Sequence, residues 1–323
     1  MSVLRSAAQV AASIAVVVFA TLSIADAAEK LRVAKPEATS FSFAFLDVGV
    51  QAGIFARHDV EIESIDLAGG SKANQALIAG SIDIELGSGI EMLFIAKGSP
   101  EKGIAVLAGP PLSMGISVRD DSGIKDTASL KGKAIGISTA GSLTDWLAEE
   151  LSRRQGWGND GVRRVALGSQ DALSAALIAK NVDAIIGGTP TAYRLQEAGQ
   201  AKVLATFGPT VPDFITNMIF ASNAVIVAHP EAVRHFLAGW FETVRFAKAN
   251  KEETIRLTRP ATRLSPEIAS IIYDEQMPMF SIDGRFDPKA VAVVKNSIKE
   301  LSQLDALPPD DVLFTEAFLP PRQ

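Results

Sequence analysis

The sequence predicts an α/β protein of two similar lobes with mostly parallel sheets, joined by two connecting strands and followed by helices. Three observations support this fold: an internal repeat, an alternation of strand-like and helical patterns through the first two thirds, and a helical last third. The repeat relates residues 67–88 (LAGGSKANQALIAGSIDIELGS) to residues 167–188 (LGSQDALSAALIAKNVDAIIGG). Solenoid repeats have periods of about 20 to 50 residues. A spacing of one hundred therefore indicates two whole lobes that face each other across a cleft.

Short apolar runs predict four strands in each lobe, and the segments between them predict helices. The runs are 31–34, 60–67, 82–86 and 104–108, then 133–138, 162–167, 182–186 and 202–207. Segments 110–118 and 209–220 contain prolines next to strand-like runs, and we expect the chain to cross between the lobes there. Two crossing strands form a hinge. The expected lobes are 28–115 with 217–323, and 116–216.

The repeated unit reads as a loop, an amphipathic helix, a tight turn and a short strand. Ser71 and Asp171 are the candidate N-caps of the two helices. Gly80 suits the left-handed residue that ends the first helix, and Asn181 is expected to replace it in the second.

An aspartate recurs where each repeated strand begins, as Asp83 and Asp183. A carboxylate at this place can accept hydrogen bonds from nearby backbone N–H groups. The start of a strand lies away from the ligand-binding edge of an α/β sheet, so we interpret both aspartates as structural.

The last third contains three helix starts in which a capping residue precedes proline: His229-Pro230, Ser265-Pro266 and Asp287-Pro288. An apolar stripe follows the first of them and includes Phe236, Leu237 and Trp240. We expect these helices to pack on the first lobe.

Residues 1–27 are predicted to be a cleaved signal peptide. Arg5 precedes an apolar run over 11–24, and Ala25-Asp26-Ala27 matches an A-x-A cleavage pattern. The chain contains no cysteine, which excludes disulfides, thiolate catalysis and a lipid-modified N-terminal cysteine. The sequence therefore predicts a soluble exported protein.

The net charge is −6 and the sequence has no basic run, which argues against nucleic-acid binding. No Walker loop, G-x-S-x-G elbow or H-E-x-x-H motif occurs, so no hydrolytic or phosphoryl-transfer enzyme is indicated. The three histidines lack metal-ligand spacing. We expect a monomer that needs neither cofactor nor metal.

Gly, Ser and Thr residues follow the ends of the predicted strands, where open α/β sheets bind ligands. Most of these segments open a helix, whose free N–H groups and dipole attract anions and carbonyl oxygens. Such residues also make ordinary tight turns, and that reading stays open for any single loop. Asp145, in the first turn of one helix, suits either a cationic ligand group or the helix dipole. Of the basic residues, Lys35 and Lys72 come near these loops.

The chain resembles the nitrate/sulfonate/taurine-type solute-binding proteins of ATP-driven importers, whose relatives include pyrimidine-precursor binders. The resemblance is carried by FLDVGVQAGIFARHDVEIE, ALIAGSIDIELGS, SLKGKAIGISTAGSLTDWLAEEL and ASNAVIVAHPEAVRHFLAGWFETVRFAKAN. It implies a type II periplasmic binding fold that closes around a small molecule in the periplasm and docks on a membrane permease. It also implies ligand contacts at Ser40, Phe41, Gly70, Ser71, Gly87, Ser88, Thr139, Gly141, Ser142, Gly188 and Thr189.

We expect the ligand to be a small organic anion, either a sulfonate or a carboxylate. The absence of Arg or His in the binding loops leaves room for a pyrimidine, another aromatic ring or an amine. Presentation of the ligand to a sensor is an alternative to transport. The resemblance extends to eukaryotic pyrimidine synthases, but those enzymes depend on a cysteine-rich motif that this chain lacks.

Overall fold

A computed structural model describes residues 28–302 and 304–322 as two five-stranded sheets with helices packed on them. The predicted signal peptide lies outside the described residues. The strands are β1 (Glu29–Lys35), β2 (Val60–Asp66), β3 (Ile84–Ser88), β4 (Glu101–Ala108), β5 (Met114–Arg119), β6 (Ala134–Ile137), β7 (Arg163–Ala166), β8 (Ala184–Gly188), β9 (Ala201–Thr206) and β10 (Asn217–Ser222). The helices are α1 (Phe45–Gln51), α2 (Ile54–Arg57), α3 (Gly70–Ile78), α4 (Met92–Ala96), α5 (Leu143–Arg154), α6 (Gln170–Ile178), α7 (Thr189–Glu197), α8 (Asn223–Ala228), α9 (Pro230–Ala249), α10 (Lys251–Thr262), α11 (Pro266–Gln276), α12 (Pro288–Ser302) and α13 (Asp310–Leu313).

The two sheets have the same topology. The strand order is β2-β1-β3-β10-β4 in the first and β7-β6-β8-β5-β9 in the second. In the first sheet β1 pairs in parallel with β2 and β3, and β10 runs antiparallel between β3 and β4. In the second sheet β6 pairs in parallel with β7 and β8, and β5 runs antiparallel between β8 and β9. The predicted fold, two mostly parallel α/β lobes of the type II binding class, is confirmed.

The chain changes sheet twice, between β4 and β5 and between β9 and β10. The first crossing leads into β5, which lies inside the second sheet, and the second crossing leads into β10, which lies inside the first sheet. The sequence predicted the hinge at these two crossings. Met114 already belongs to the second sheet, although the expected boundary placed it in the first lobe. The exact lobe limits stay a prediction. Phe214, in the second crossing, stacks on Trp146 of α5 with ring centroids 4.5 Å apart.

The repeated helices α3 and α6 form as predicted, but their ends differ from expectation. Gly69 is the N-cap residue of α3 and makes no side-chain cap, whereas Ser169, not Asp171, caps α6 through the N–H of Ala172. Gly80 has the expected left-handed conformation, with φ of 69°. In the second copy Lys180, with φ of 64°, holds this conformation instead of Asn181. Gly80 and Lys180 are equivalent positions of the repeat. The position in the repeat, and not the conformational preference of the residue, therefore decides which residue is left-handed.

The repeated aspartates are structural, as predicted. The Asp83 carboxylate accepts the backbone N–H of Arg32 at 2.8 Å, and Asp183 accepts that of Ala134 at 2.9 Å. Each aspartate also donates its own N–H to the carbonyl of the same partner residue. Both therefore tie the start of a strand to the strand beside it, at the end of the sheet opposite the cleft.

The C-terminal helices pack mainly on the first lobe, as expected. Helix α9 buries Phe236, Trp240 and Val244 and packs on α1 and α2. Ser265 caps α11 by accepting the N–H of Ile268. Helix α11 also contacts α7 of the second lobe, so this region bridges the two lobes. Over the described stretch of chain, no helix combines the length and apolarity that crossing a bilayer requires.

Candidate ligand-binding site

A cleft of about 1000 Å³, including the part open to solvent, lies between the carboxyl ends of the two sheets. The space within it that a water-sized sphere can enter is about 150 Å³, and an enclosed space of that size holds a small ring such as benzene. Seven of the eleven residues expected to contact a ligand line this cleft: Ser40, Phe41, Gly70, Gly87, Ser88, Ser142 and Gly188. The structure thus brings together loops from both lobes that the sequence placed at strand ends.

The other four expected residues lie outside the lining. Ser71 donates its hydroxyl to the Ala140 carbonyl of the second lobe at 2.7 Å, and Thr189 accepts a hydrogen bond from Gln276 at 2.8 Å. Gly141 donates its N–H to Asp145, and Thr139 packs against Gly69. These residues join elements to one another, which leaves their predicted role in ligand binding without support from the geometry.

Glu91 is a lining residue that the sequence analysis missed. It lies in the 3-10 turn 89–91 after β3 and is 3% exposed. Its Oε2 accepts the N–H of Ser88 at 2.8 Å. A Cβ at Gly70 or Gly87 would overlap the Glu91 carboxyl, so a side chain at either position would displace that carboxyl. The spacing of Ser88 and Glu91, S-x-x-E, is the capping-box pattern and was the available signal.

Glu37 is the second missed carboxyl, in the loop after β1. A Cβ at Gly188 would lie 3.2 Å from its Oε1, so the Glu37 side chain reaches the second lobe. Burial raises the pKa of Glu37 to about 7, against the opposing influence of Thr39, Arg194 and Gln170. No sequence pattern marks this residue, because its neighbours at the site come from distant parts of the chain.

The Glu91 carboxyl has two further carboxyls near it, Glu85 in β3 and Glu101 in β4. Both are almost fully buried, with 0% and 2% exposure. Burial raises the pKa of Glu91 to about 7 despite the N–H of Ser88, and burial also raises the pKa of Glu101 to about 7. The amide of Asn74 in α3 donates to Glu101 at 2.5 Å. The floor of the cleft in the first lobe is therefore acidic.

Basic residues near the cleft are engaged or peripheral. Lys35 is buried but pairs with Asp47 at 2.9 Å and Asp66 at 3.2 Å, and Lys72 is exposed outside the lining. Arg263 lies at the rim, where it pairs with Asp171 of the second lobe at 3.3 Å. The charge of Arg194 in α7 acts on Glu37, but Arg194 lies outside the lining and pairs with Asp171 at 3.7 Å. Among the described residues, Arg263 is thus the one cation that lines the cleft.

Apolar side chains form the remaining walls and suit a ring or a short hydrocarbon. They are Phe41, Phe43, Leu67, Met114, Leu143 and Pro190. Asn217, at the start of β10, donates to the Gly87 carbonyl at 3.4 Å, and its own side-chain oxygen is buried without a partner in the described structure. That oxygen is a further acceptor available to a ligand N–H.

Polar contacts across the cleft show that the two lobes are closed on one another. Besides the Ser71 and Gln276 bonds, Tyr193 of α7 donates to Glu275 of α11 at 3.0 Å. The Asp145 carboxylate accepts hydrogen bonds from Arg164 at 2.8 Å and from the N–H of Gly141, so this side chain holds the loop before α5 in place. Nothing in its surroundings leaves it free for a ligand.

A family model described as NMT1/THI5 like matches residues 40–254. A putative thiamine biosynthesis protein of Haemophilus influenzae is 29% identical over 141 residues, which span 43% of this chain and 44% of that relative. The match thus spans less than half of the relative's length.

The fold recurs in solved structures of periplasmic binding proteins. The periplasmic aliphatic sulphonate binding protein SsuA of Escherichia coli superposes with a TM-score of 0.70 at 20% identity, covering 91% of this chain and 95% of that one. The alkanesulfonate-binding protein SsuA of Xanthomonas axonopodis pv. citri, bound to MOPS, gives a TM-score of 0.73 at 19% identity, covering 88% and 98%. Identities this low establish a shared fold only.

Proposed function

Because the chain belongs to the NMT1/THI5-like family, we propose that it is the exported ligand-binding receptor of an ATP-driven importer. It captures a small nitrogen-containing ligand, such as an amine, an amidine or an aminopyrimidine ring, between its lobes. The periplasmic sulphonate binding protein that shares its fold supports the location in the periplasm, and the partnership with a membrane permease is what the sequence resemblance implies.

The observation that carries the ligand class is the pair of carboxyls, Glu37 and Glu91, in a cleft whose one lining cation among the described residues, Arg263, pairs with Asp171 instead. At an effective dielectric constant of about 20, two like charges 4 Å apart repel by about 4 kcal/mol. An organic anion, which the sequence favoured, would meet this repulsion or have to keep both carboxyls protonated. A ligand with N–H donors or positive charge instead gains charge-assisted hydrogen bonds.

Two other features agree with a nitrogen-containing ring. The apolar walls formed by Phe41, Leu67 and Met114 suit a planar ligand, and the unpartnered oxygen of Asn217 adds an acceptor for N–H. The name of the Haemophilus relative, a putative thiamine biosynthesis protein, supports the pyrimidine alternative, whereas the names of the SsuA neighbours support a sulfonate. The charge of the lining favours the former.

The test compares ligands of matched shape and opposite charge. Benzamidine and benzoate differ mainly in charge, and 4-aminopyrimidine with benzenesulfonate extends the comparison to neutral and sulfonate rings. We expect benzamidine or 4-aminopyrimidine to raise the melting temperature, since a ligand that binds only the folded state stabilises it. The two anions are expected to have no effect.

The pH dependence and two variants sharpen the result. Benzamidine stays cationic, so its affinity should rise with pH through about 7 as the carboxyls ionise. Glu37→Gln and Glu91→Gln should each weaken it, whereas Glu61→Gln, an exposed change of equal charge, should not. The proposed ligand class would be refuted if benzoate or benzenesulfonate raised the melting temperature while benzamidine and 4-aminopyrimidine left it unchanged. Mass spectrometry of cargo released by gentle denaturation then identifies the natural ligand.

A further inference from the structure

Glu85 lies in the middle of the first sheet, beside the ligand cleft but out of reach of any ligand. It is 0% exposed, and its backbone pairs with Ala34 of β1 and Phe220 of β10. No N–H or hydroxyl in the described part of the chain donates to either oxygen of its carboxyl. A buried carboxylate without donors is very unfavourable, so Glu85 holds a proton. That proton needs an acceptor.

The geometry of β3 points to Glu91 as the acceptor. Side chains alternate along a strand, so Glu85 and position 87 point to the same face. Because 87 is glycine, the Glu91 carboxyl occupies the space of the missing side chain, on the face of β3 from which Glu85 also points. The two carboxyls influence each other's pKa, and Glu91, unlike Glu85, also lines the cleft.

We propose that Glu85 is a positioning residue for ligand binding: it stays protonated and donates a hydrogen bond to Glu91, which favours the ionised form of the Glu91 carboxyl and directs that carboxyl into the cleft. This inference rests on the proposed role of Glu91 as a ligand-binding carboxylate.

The surroundings of Glu85 decide which carboxyl keeps the proton. The charged groups that act on Glu85 are Glu91 and Glu101, while the elements packed beside it contribute the uncharged Ala34, Asn74 and Phe220. Burial raises the pKa of Glu85 well above its usual range, and the two neighbouring carboxyls raise it further. Glu91 has the N–H of Ser88 at 2.8 Å to stabilise its negative charge. Glu85 has no such donor, so the proton stays on Glu85.

The first experiment needs no ligand. The pKa of Glu91 is measured by carbon NMR of carboxyl-labelled glutamate, its signal being identified by its loss in Glu91→Gln. Glu85→Gln keeps a neutral donor and should leave the pKa of Glu91 unchanged. Glu85→Met removes the donor at similar size and should raise the pKa of Glu91 by about one unit, since a hydrogen bond to a charged group contributes about 1.5 kcal/mol. A purely structural role for Glu85 would move neither value.

Stability and affinity should then change in opposite directions in Glu85→Met. Replacing a buried carboxyl by an apolar side chain is expected to raise the melting temperature. At pH 7 the ionised fraction of Glu91 falls from about one half to about one tenth if its pKa rises by one unit, so benzamidine should bind about fivefold more weakly. Glu85→Gln should match the wild type in affinity.

The outcomes separate the inference from the proposed function. If the pKa of Glu91 is the same in wild type and Glu85→Met, the inference is overturned even when benzamidine binds. If the pKa rises in Glu85→Met but benzamidine and 4-aminopyrimidine do not bind, the donor role of Glu85 holds and the proposed ligand class fails. Should Glu85→Met not fold, an upward shift of more than half a unit in Glu85→Gln still overturns the inference.

Discussion

Replacing Glu101 by glutamine should remove one part of the loss of stability that we expect as pH rises. Glu101 begins β4, is 2% exposed and lies outside the lining of the cleft, so the change does not alter a ligand contact. Asn74 donates to its Oε1 at 2.5 Å, and the amide oxygen of glutamine can accept the same bond. The variant therefore removes a titrating group and keeps its partner.

The magnitude follows from the pKa, which burial raises from 4.5 to about 7. A carboxyl whose pKa is raised by folding favours the folded state at low pH, and this contribution is lost as pH rises between the two values. From pH 5 to pH 8 the wild type loses about 2.5 kcal/mol of unfolding free energy through this one group. In Glu101→Gln that part of the loss disappears, while the parts due to Glu37, Glu85 and Glu91 remain.

Urea unfolding followed by tryptophan fluorescence at pH 5, 6.5 and 8 measures the effect. The difference in unfolding free energy between Glu101→Gln and the wild type should increase in favour of the variant with each step in pH. Glu61→Gln, an exposed change of equal charge, should show the same pH dependence as the wild type. Parallel pH curves for wild type and Glu101→Gln would refute the reasoning, because they would mean that Glu101 titrates as it does in the unfolded chain.

Three further changes test the scaffold. Gly87→Ala should destabilise the protein because the new Cβ overlaps the Glu91 carboxyl, and the double variant Gly87→Ala/Glu91→Ala should recover stability in chemical unfolding; additive losses would contradict the overlap. Asp83→Asn and Asp183→Asn should each cost about 1 to 3 kcal/mol of unfolding free energy, since a backbone N–H loses a charged acceptor in each lobe; a loss in one lobe alone would contradict their equivalence. Trp146→Ala should cost about 3 to 5 kcal/mol in the same assay, because the side chain is 2% exposed and stacked, and a much smaller loss would mean the stack is not formed in solution.

Much of the fold could be predicted because it depends on local patterns. The alternation of apolar runs and helices located the strands, and the repeat located the two lobes and the equivalent Asp83 and Asp183. The ends of the repeated helices were less predictable. Lys180 takes a left-handed conformation that the sequence assigned to Asn181, because the geometry of the turn outweighs residue preference there.

The site was predicted in part, and the reason lies in sequence distance. Strand-end loops such as Gly87-Ser88 were found because they follow a strand directly. Glu37 could not be found, since what makes it part of the site is its contact with Gly188, which lies far away in the sequence. Glu91 has a capping-box spacing that also fits an ordinary turn. Only its burial against Gly70 and Gly87 distinguishes a residue of the site from an ordinary turn residue.

The sequence by itself determined the two-lobed scaffold and the place of the cleft, because periodicity, turn residues and an internal repeat are properties of the chain. The charge of the cleft was decided only by the tertiary structure. Glu37 and Glu91 look like ordinary surface residues in the sequence, and burial in the folded chain raises the pKa of both to about 7.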